Sequence, residues 1–397
     1  MKITVLLGNG FDVSLGIKSS YGDFYKWYYD KPTDIKHIQD FRNAIKEDIL
    51  SDIPDDEKTW ADFELGMGKY TENFTKETVG QFLECLDDAQ ENIRKYLLEQ
   101  ESLFDITQCT DKSIAALKKS IWNFYDEITD REKAEIKSML DNIAGQDREI
   151  SFITFNYTDT LERILKVIPE DVLAKWQHSN REYAYKLNRN VLHVHGTTES
   201  FPVLGVNDES QIANKELLDT PQFKEMLVKA QNVHALGKLW HNQAEEQISN
   251  SRVVCILGMS LGATDAKWWR KLVQWLKADV HRHIVLYWYE KNPPNGISTV
   301  KQLRAVDGAK NKLLSYTEKL SASEVSTLKN RIHVVINTSK YLRLEKKPKK
   351  EELTLQGMTE LVTVLNKAAK EVPIETIQQA EELAKNFEEL AGSLPLG

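Results

Sequence analysis

Lys2-Ile3-Thr4-Val5-Leu6-Leu7-Gly8-Asn9-Gly10-Phe11-Asp12 sets a nearly unbroken apolar run directly against a glycine pair. A run of this kind, without polar alternation, marks a strand covered on both faces. The same signature recurs at Ile150–Phe155, Val191–Val194, Val253–Leu257, His283–Trp288 and Ile332–Ile336. Helical patterns separate these runs, and strand–helix alternation predicts an α/β fold with a doubly wound, mostly parallel sheet.

The first two strands lie too far apart for one crossover, and the sequence between them reads as helix. Phe82, Leu86, Ala89, Ile93 and Leu97 recur at spacings of three and four, as do Ile114, Leu117, Ile121 and Phe124, each set giving one apolar face. The expected organisation is a nucleotide-binding α/β core over 1–27 and 148–344, a helical insertion over 28–147, and a short helical excursion over 206–250. A charged linker and helical tail follow over 345–397, where Glu-Lys-Lys-Pro-Lys-Lys-Glu-Glu leads to an apolar stripe at Ile374, Ile377, Ala380, Ala384 and Phe387.

At 397 residues, 41% hydrophobic and 28% charged, the chain has ordinary globular composition. A net charge of −8 argues against a uniformly basic nucleic-acid binder. The three cysteines, Cys85, Cys109 and Cys255, form neither a disulfide framework nor a zinc pattern and fit a reducing compartment. No apolar window is long enough to span a membrane, and the expected location is cytoplasmic.

The chemistry-bearing motifs follow the strands. Gly8-Asn9-Gly10 lets the backbone turn tightly, and a helix starting near Phe11 would offer free N–H groups to a phosphate; a simple tight strand-to-helix turn explains the same residues. Val13 stands where the full dinucleotide fingerprint has its third glycine. Thr154-Phe155-Asn156-Tyr157-Thr158-Asp159 places polar side chains at a strand end, with Asn156 offering donor and acceptor and a neighbour free to cap the next helix. His193-Val194-His195-Gly196 puts two histidines on one side of an extended strand; no third ligand has convincing spacing, so no metal is expected. Gly258-Met259-Ser260-Leu261-Gly262 opens another turn and nominally matches a hydrolase nucleophile elbow, without a histidine in suitable context. Trp60-Ala61-Asp62-Phe63-Glu64 reads as a helix start.

Taken in this order, the motifs resemble the AbiH family of bacterial abortive-infection proteins. The matching segments are Leu6–Asp12, Ser19-Ser20-Tyr21-Gly22-Asp23-Phe24, Trp60–Glu64, Phe152–Thr158, His193–Gly196 and Gly258–Leu261. The order is also distantly similar to sirtuin-type NAD-binding proteins. That resemblance implies that Gly8 and Gly10 line a pyrophosphate, that Asn156 and His195 are catalytic, and that Gly258 and Ser260 form a nucleotide-ribose turn. Asn9, Phe11, Asp12, Tyr21, Tyr157, Thr158, Leu261 and Asp265 are expected around the same nucleotide, with Trp60 and Glu64 in a cleft wall. The chain departs from sirtuins at Asn9, which replaces a small residue, and at Thr158, which stands where they carry Asp, with Asp159 one place later. Three cysteines cannot build the sirtuin four-cysteine zinc module, which favours a bare NAD-consuming core over protein deacylation.

The expectation is an anti-phage protein that hydrolyses NAD⁺ at the nicotinamide–ribose bond, with NAD⁺ as substrate or ligand and no resident cofactor. His195 serves as general base if its pKa lies near 7. One alternative is a nucleotide-sensing module without activity of its own. Another is a metal-dependent nuclease or nucleotide hydrolase using Asp12, Glu64, Asp159 and Asp265. A homo-oligomer or a phage-responsive partner protein is the expected company.

Overall fold

Among the described residues seven strands form one sheet: β1 (Lys2–Leu7), β2 (Arg148–Thr154), β3 (Val172–His178), β4 (Arg181–His193), β5 (Ser251–Leu257), β6 (His283–Trp288) and β7 (Ile332–Ile336). The computed structural model describes residues 1–44, 60–143, 145–200, 202–293, 299–317 and 320–344. The linker and helical tail expected over 345–397 lie outside the described residues.

The sheet order is β3-β4-β2-β1-β5-β6-β7, and every pairing is parallel except β3 with β4. Without the antiparallel edge strand β3, the parallel strands follow the order 3-2-1-4-5-6 of doubly wound dinucleotide-binding sheets. The chain reverses its direction of winding between β1 and β5. At such a switch point the loops leaving the two strands diverge to opposite faces and open a crevice at the carboxyl edge.

The strands are apolar on both faces because both are covered. Ile3, Val5, Ile150, Phe152, Val253 and Val285 pack with Leu117, Ile121, Ile136, Leu161 and Ile164 on one side. Leu6, Ile153, Val254, Ile256, Ile284 and Leu286 pack on the other side with Trp268, Trp269, Leu272, Leu313 and Leu328. At about 25 cal/mol per Å² of apolar surface removed from water, these faces are the main stabilising term.

The edge hairpin β3–β4 was not legible as strands, since only Val191–Val194 reads as an apolar run. Its residues alternate polar and apolar because an edge strand keeps one side in solvent. Ser179 and Asn180 make the two-residue turn with φ of 48° and 60°, the left-handed pair that matches strand twist in a tight hairpin.

The segment expected as one insertion over 28–147 divides. Its later helices, Asp111–Trp122 and Asp130–Asn142, cover the sheet. Its earlier helices, Lys36–Ala44, Trp60–Tyr70 and most of Val79–Ser102, join Tyr21–Tyr29 in a separate core. That lobe is completed by Leu204 and by Val206, Ile212, Leu217, Phe223 and Leu227 from the second excursion. The remainder of that excursion, through Ala244 and Ile248, returns to the sheet. Neither excursion buries its apolar face alone, so the two share one lobe. Among the described residues no helix is long and apolar enough to cross a membrane.

Candidate functional site

The turns after β1 and β5 interlock at the switch point. Gly8 N–H donates to Leu257 O at 3.0 Å, Gly10 N–H to Gly258 O at 2.8 Å, and Phe11 N–H to Gly8 O at 2.9 Å. A Cβ on Gly8 would fall 2.6 Å from Gly258 O, and one on Gly258, where φ is +70°, would fall 2.4 Å from Phe11 N. These glycines are therefore required by the approach of two backbones. Of the N–H groups in the turn expected to face a phosphate, those of Gly8, Gly10 and Phe11 are already engaged, and the helix Gly10–Ser14 is a single short turn. Phe11 is also removed from the nucleotide contacts, because its ring is buried in the sheet-face core.

Beside this pair of turns lies a cleft of about 620 Å³, within the range of small-molecule sites. Gly8, Asn9, Gly10, Asp12, Gly258, Ser260 and Leu261 line its floor from β1 and β5. Asn156, Tyr157 and Thr158 enter from the turn after β2, and His195 from the turn after β4. Tyr21, Glu64 and Lys229 face it from the lobe, and Asp265 from the segment following the β5 turn. The side chain of Trp60 lies outside the described residues.

Asp12 is 1% exposed. Thr158 donates its hydroxyl to Asp12 Oδ2 at 2.6 Å, whereas Oδ1 has no hydrogen-bond partner among the described residues. Burial pushes this carboxyl up to about 7, opposed by the Thr158 hydrogen bond and by the nearby Asn156 side chain. Asn156 is buried with its side-chain oxygen unpartnered, while its backbone carbonyl meets His193 Nδ1 at 2.9 Å.

The two histidines take separate roles. β4 stops at His193, and the chain turns through Gly196 at φ 76°. His193 is held between Asn156 O and Glu162, whose oxygen lies 2.6 Å from Nε2. Burial lowers its pKa, but the Glu162 hydrogen bond and charge outweigh that and raise it overall. His195 packs edge-on against Phe155, and its Nε2, without a hydrogen-bond partner, lies 3.4 Å from Asp265. Burial, helped by Lys229 and His241, holds His195 well below the usual histidine range. That direction runs against the base of pKa near 7 that its motif suggests.

Lys229 closes the lobe side. It is 4% exposed and bonds Glu64 at 2.8 Å and Asp265 at 3.0 Å. Burial works against its charge, but the two carboxylates keep its pKa raised. Burial in turn pushes Glu64 upward, reinforced by Asp265 and opposed by Lys229. Sequence reasoning missed Lys229, which sits in the helix Lys229–Ala235 with no motif around it. It also missed Glu101, which accepts from Asp159 N at 2.7 Å and Thr198 Oγ1 at 2.9 Å and so ties two cleft loops to the long helix Val79–Ser102. The far end of the cleft, at Trp288, Tyr289, Asn337 and Arg343, follows β6 and β7; the rule that ligands sit beyond strand carboxyl ends pointed there.

The carboxylates suggested for metal-dependent hydrolysis disperse. Asp12 goes to Thr158, Glu64 and Asp265 go to Lys229, and Asp159 lies 3.7 Å from Arg163. Among the described residues no group of three or more His, Cys, Asp or Glu is placed to hold a metal ion.

No curated protein matches the chain. The sequence model of the family described as bacteriophage abortive infection AbiH matches residues 4–287, from β1 into β6 and across most of the cleft but not its far end. The chain belongs to the AbiH family of bacteriophage abortive infection proteins.

Proposed function

We propose that the cleft binds NAD⁺ and hydrolyses its nicotinamide–ribose bond, and that this is the chain's contribution to abortive infection. The observation that carries the reading is a set of buried polar atoms without hydrogen-bond partners among the described residues, Asp12 Oδ1, Asn156 Oδ1 and His195 Nε2, on residues lining one cleft at the switch point. Buried polar atoms are nearly always satisfied, and clustered exceptions call for a polar ligand. A ribose, with hydroxyls that both donate and accept, answers that set. The strand order and the positions of Asn156 and His195 at neighbouring strand ends support the sirtuin-like reading of the sequence.

Departure of nicotinamide as a neutral base needs no acid. It leaves an oxocarbenium-like ribose, as in glycoside hydrolysis, and fixed dipoles in a dry site stabilise such a state. Asn156 orients the ribose or the attacking water. His195, kept neutral, accepts a hydrogen bond from a ribose hydroxyl through Nε2. The Glu64–Lys229–Asp265 cluster joins lobe to sheet and holds Asp265 beside His195. A host cannot tolerate constant NAD⁺ loss, so an infection signal, delivered by a partner protein or by self-assembly, releases the activity.

Titration calorimetry of the purified chain with ADP-ribose, alongside chromatographic detection of nicotinamide after incubation with NAD⁺, tests the reading. Binding that Asn156→Ala weakens, together with nicotinamide release, is expected. Absence of ADP-ribose binding would overturn the nucleotide cleft, and binding without release in any state of the protein would leave a sensing module instead.

A further inference from the structure

Hydrolysis of the nicotinamide–ribose bond has a proton to dispose of. Water oxygen forms a bond to the anomeric carbon as the carbon–nitrogen bond breaks with its electron pair going to nicotinamide. The attacking oxygen then carries two protons and must lose one. The acceptor has to face the cleft with an oxygen or nitrogen that nothing else occupies.

The cleft offers few such groups. His195 Nε2 has no hydrogen-bond partner among the described residues, but it lies 3.4 Å from Asp265, which also holds Lys229, and protonating it would place a second buried cation near Lys229 and His241. Glu64 and Asp265 both hold Lys229. His193 is occupied at both ring nitrogens by Asn156 O and Glu162. Asp12 differs from all of these. One carboxylate oxygen is fixed by Thr158 at 2.6 Å, the other is buried with no hydrogen-bond partner among the described residues, and the residue lines the cleft together with Asn156.

Resting on the proposed hydrolysis, we infer that Asp12 is its catalytic base, with Oδ1 taking the proton of the attacking water while Thr158 holds Oδ2. The ionised carboxylate also lies where positive charge develops on the ribose, which favours the transition state electrostatically. After the step the proton resides on Asp12 and passes to solvent as products leave. Burial suits the carboxyl to this task by making it a better proton acceptor than an exposed aspartate, with its titration near 7. The groups that face it come from every neighbouring element: Thr158 and Asn156 after β2, His193 on β4, backed by Glu162, and Glu101 from the helix Val79–Ser102. Thr158 favours the ionised form through its hydrogen bond, Asn156 through its nearby side chain and His193 through its charge, whereas Glu101 opposes it.

The test is the pH profile of nicotinamide release from NAD⁺ by the full chain, in wild type, Asp12→Asn, Asp12→Glu and Thr158→Val, with ADP-ribose affinity measured for each. Wild-type kcat/KM should rise with pH through a limb near 7. Asp12→Asn should lose on the order of 10²- to 10⁴-fold in kcat with ADP-ribose affinity within a few-fold, and Asp12→Glu should recover part of the rate with a displaced limb. Thr158→Val should move the limb to higher pH, because it removes a hydrogen bond to the ionised form; a purely structural role for Thr158 would lower the rate without moving the limb. Asp12→Asn releasing nicotinamide at the wild-type rate with an unchanged limb would overturn the role of Asp12 while leaving the hydrolysis reading intact. A wild-type chain that binds ADP-ribose but never releases nicotinamide would overturn both.

Discussion

The amide of Gly10 donates to the carbonyl of Gly258 at 2.8 Å, so the turn leaving β1 is hydrogen-bonded to the turn leaving β5. This fixes the crevice at the point where the winding of the sheet reverses, and every cleft residue is positioned relative to it.

Gly258→Ala should therefore be more damaging than a left-handed glycine alone explains. Its Cβ would lie 2.4 Å from Phe11 N at φ +70°, whereas Gly16, at φ +82°, has nothing within 4 Å of a Cβ. Gly16→Ala should cost about 1–3 kcal/mol, the backbone strain only. Gly258→Ala should cost clearly more, because the two turns must separate. Denaturant melts of the two variants check this; equal losses would mean that the turns do not need their close approach.

Lys229 should be hard to remove alone. Lys229→Met leaves Glu64 and Asp265 facing each other without their shared cation, and breaking a buried ion pair from one side costs about 3–5 kcal/mol. Adding Glu64→Gln should restore much of that loss. If the double variant melts as low as the sum of the two single ones, the three groups are not coupled.

Asp12 gives stability a specific pH dependence. In the unfolded chain its carboxyl loses its proton near 3.8, whereas in the fold it keeps it to about 7. Between those values the folded state binds more protons, so this residue's contribution falls as pH rises from about 4 to about 7. At about 1.4 kcal/mol per pKa unit the loss is on the order of 4 kcal/mol. Asp12→Asn should match wild type in stability near pH 4 and exceed it at pH 8. A stability difference that does not change with pH would contradict the burial of an ionisable group here.

Much of this was written in the chain and some was not. Strands with both faces covered are continuous apolar runs, so β1, β2, β5, β6 and β7 could be read from Val and Ile alone. β3 and most of β4 could not, because an edge hairpin keeps polar residues on its open side. The cleft turns at Gly8, Asn156, His195 and Gly258 were visible as polar residues following strands. Their electrostatics were not: the depressed pKa of His195 comes from burial and from Lys229, which lies far away in sequence. Nor could periodicity reveal that residues 204–228 complete the core begun by residues 21–97, since each stripe shows an apolar face without naming its partner.

His195→Gln keeps a polar group of similar reach and removes the neutral imidazole. Because His195 Nε2 has no hydrogen-bond partner, the substitution should change the melting temperature little. It should weaken ADP-ribose binding and lower the rate of nicotinamide release at all pH values, without moving the limb near 7. A shift of that limb would make His195 the titrating base after all.

The most direct measurement is the level of NAD⁺, nicotinamide and ADP-ribose in phage-infected cells carrying the wild-type chain or Asn156→Ala, followed by mass spectrometry alongside phage yield. The account predicts that NAD⁺ falls and nicotinamide and ADP-ribose rise only with the wild-type chain, and that protection disappears with Asn156→Ala although the variant accumulates to the same level. Protection by the wild-type chain with NAD⁺ unchanged throughout infection would contradict it.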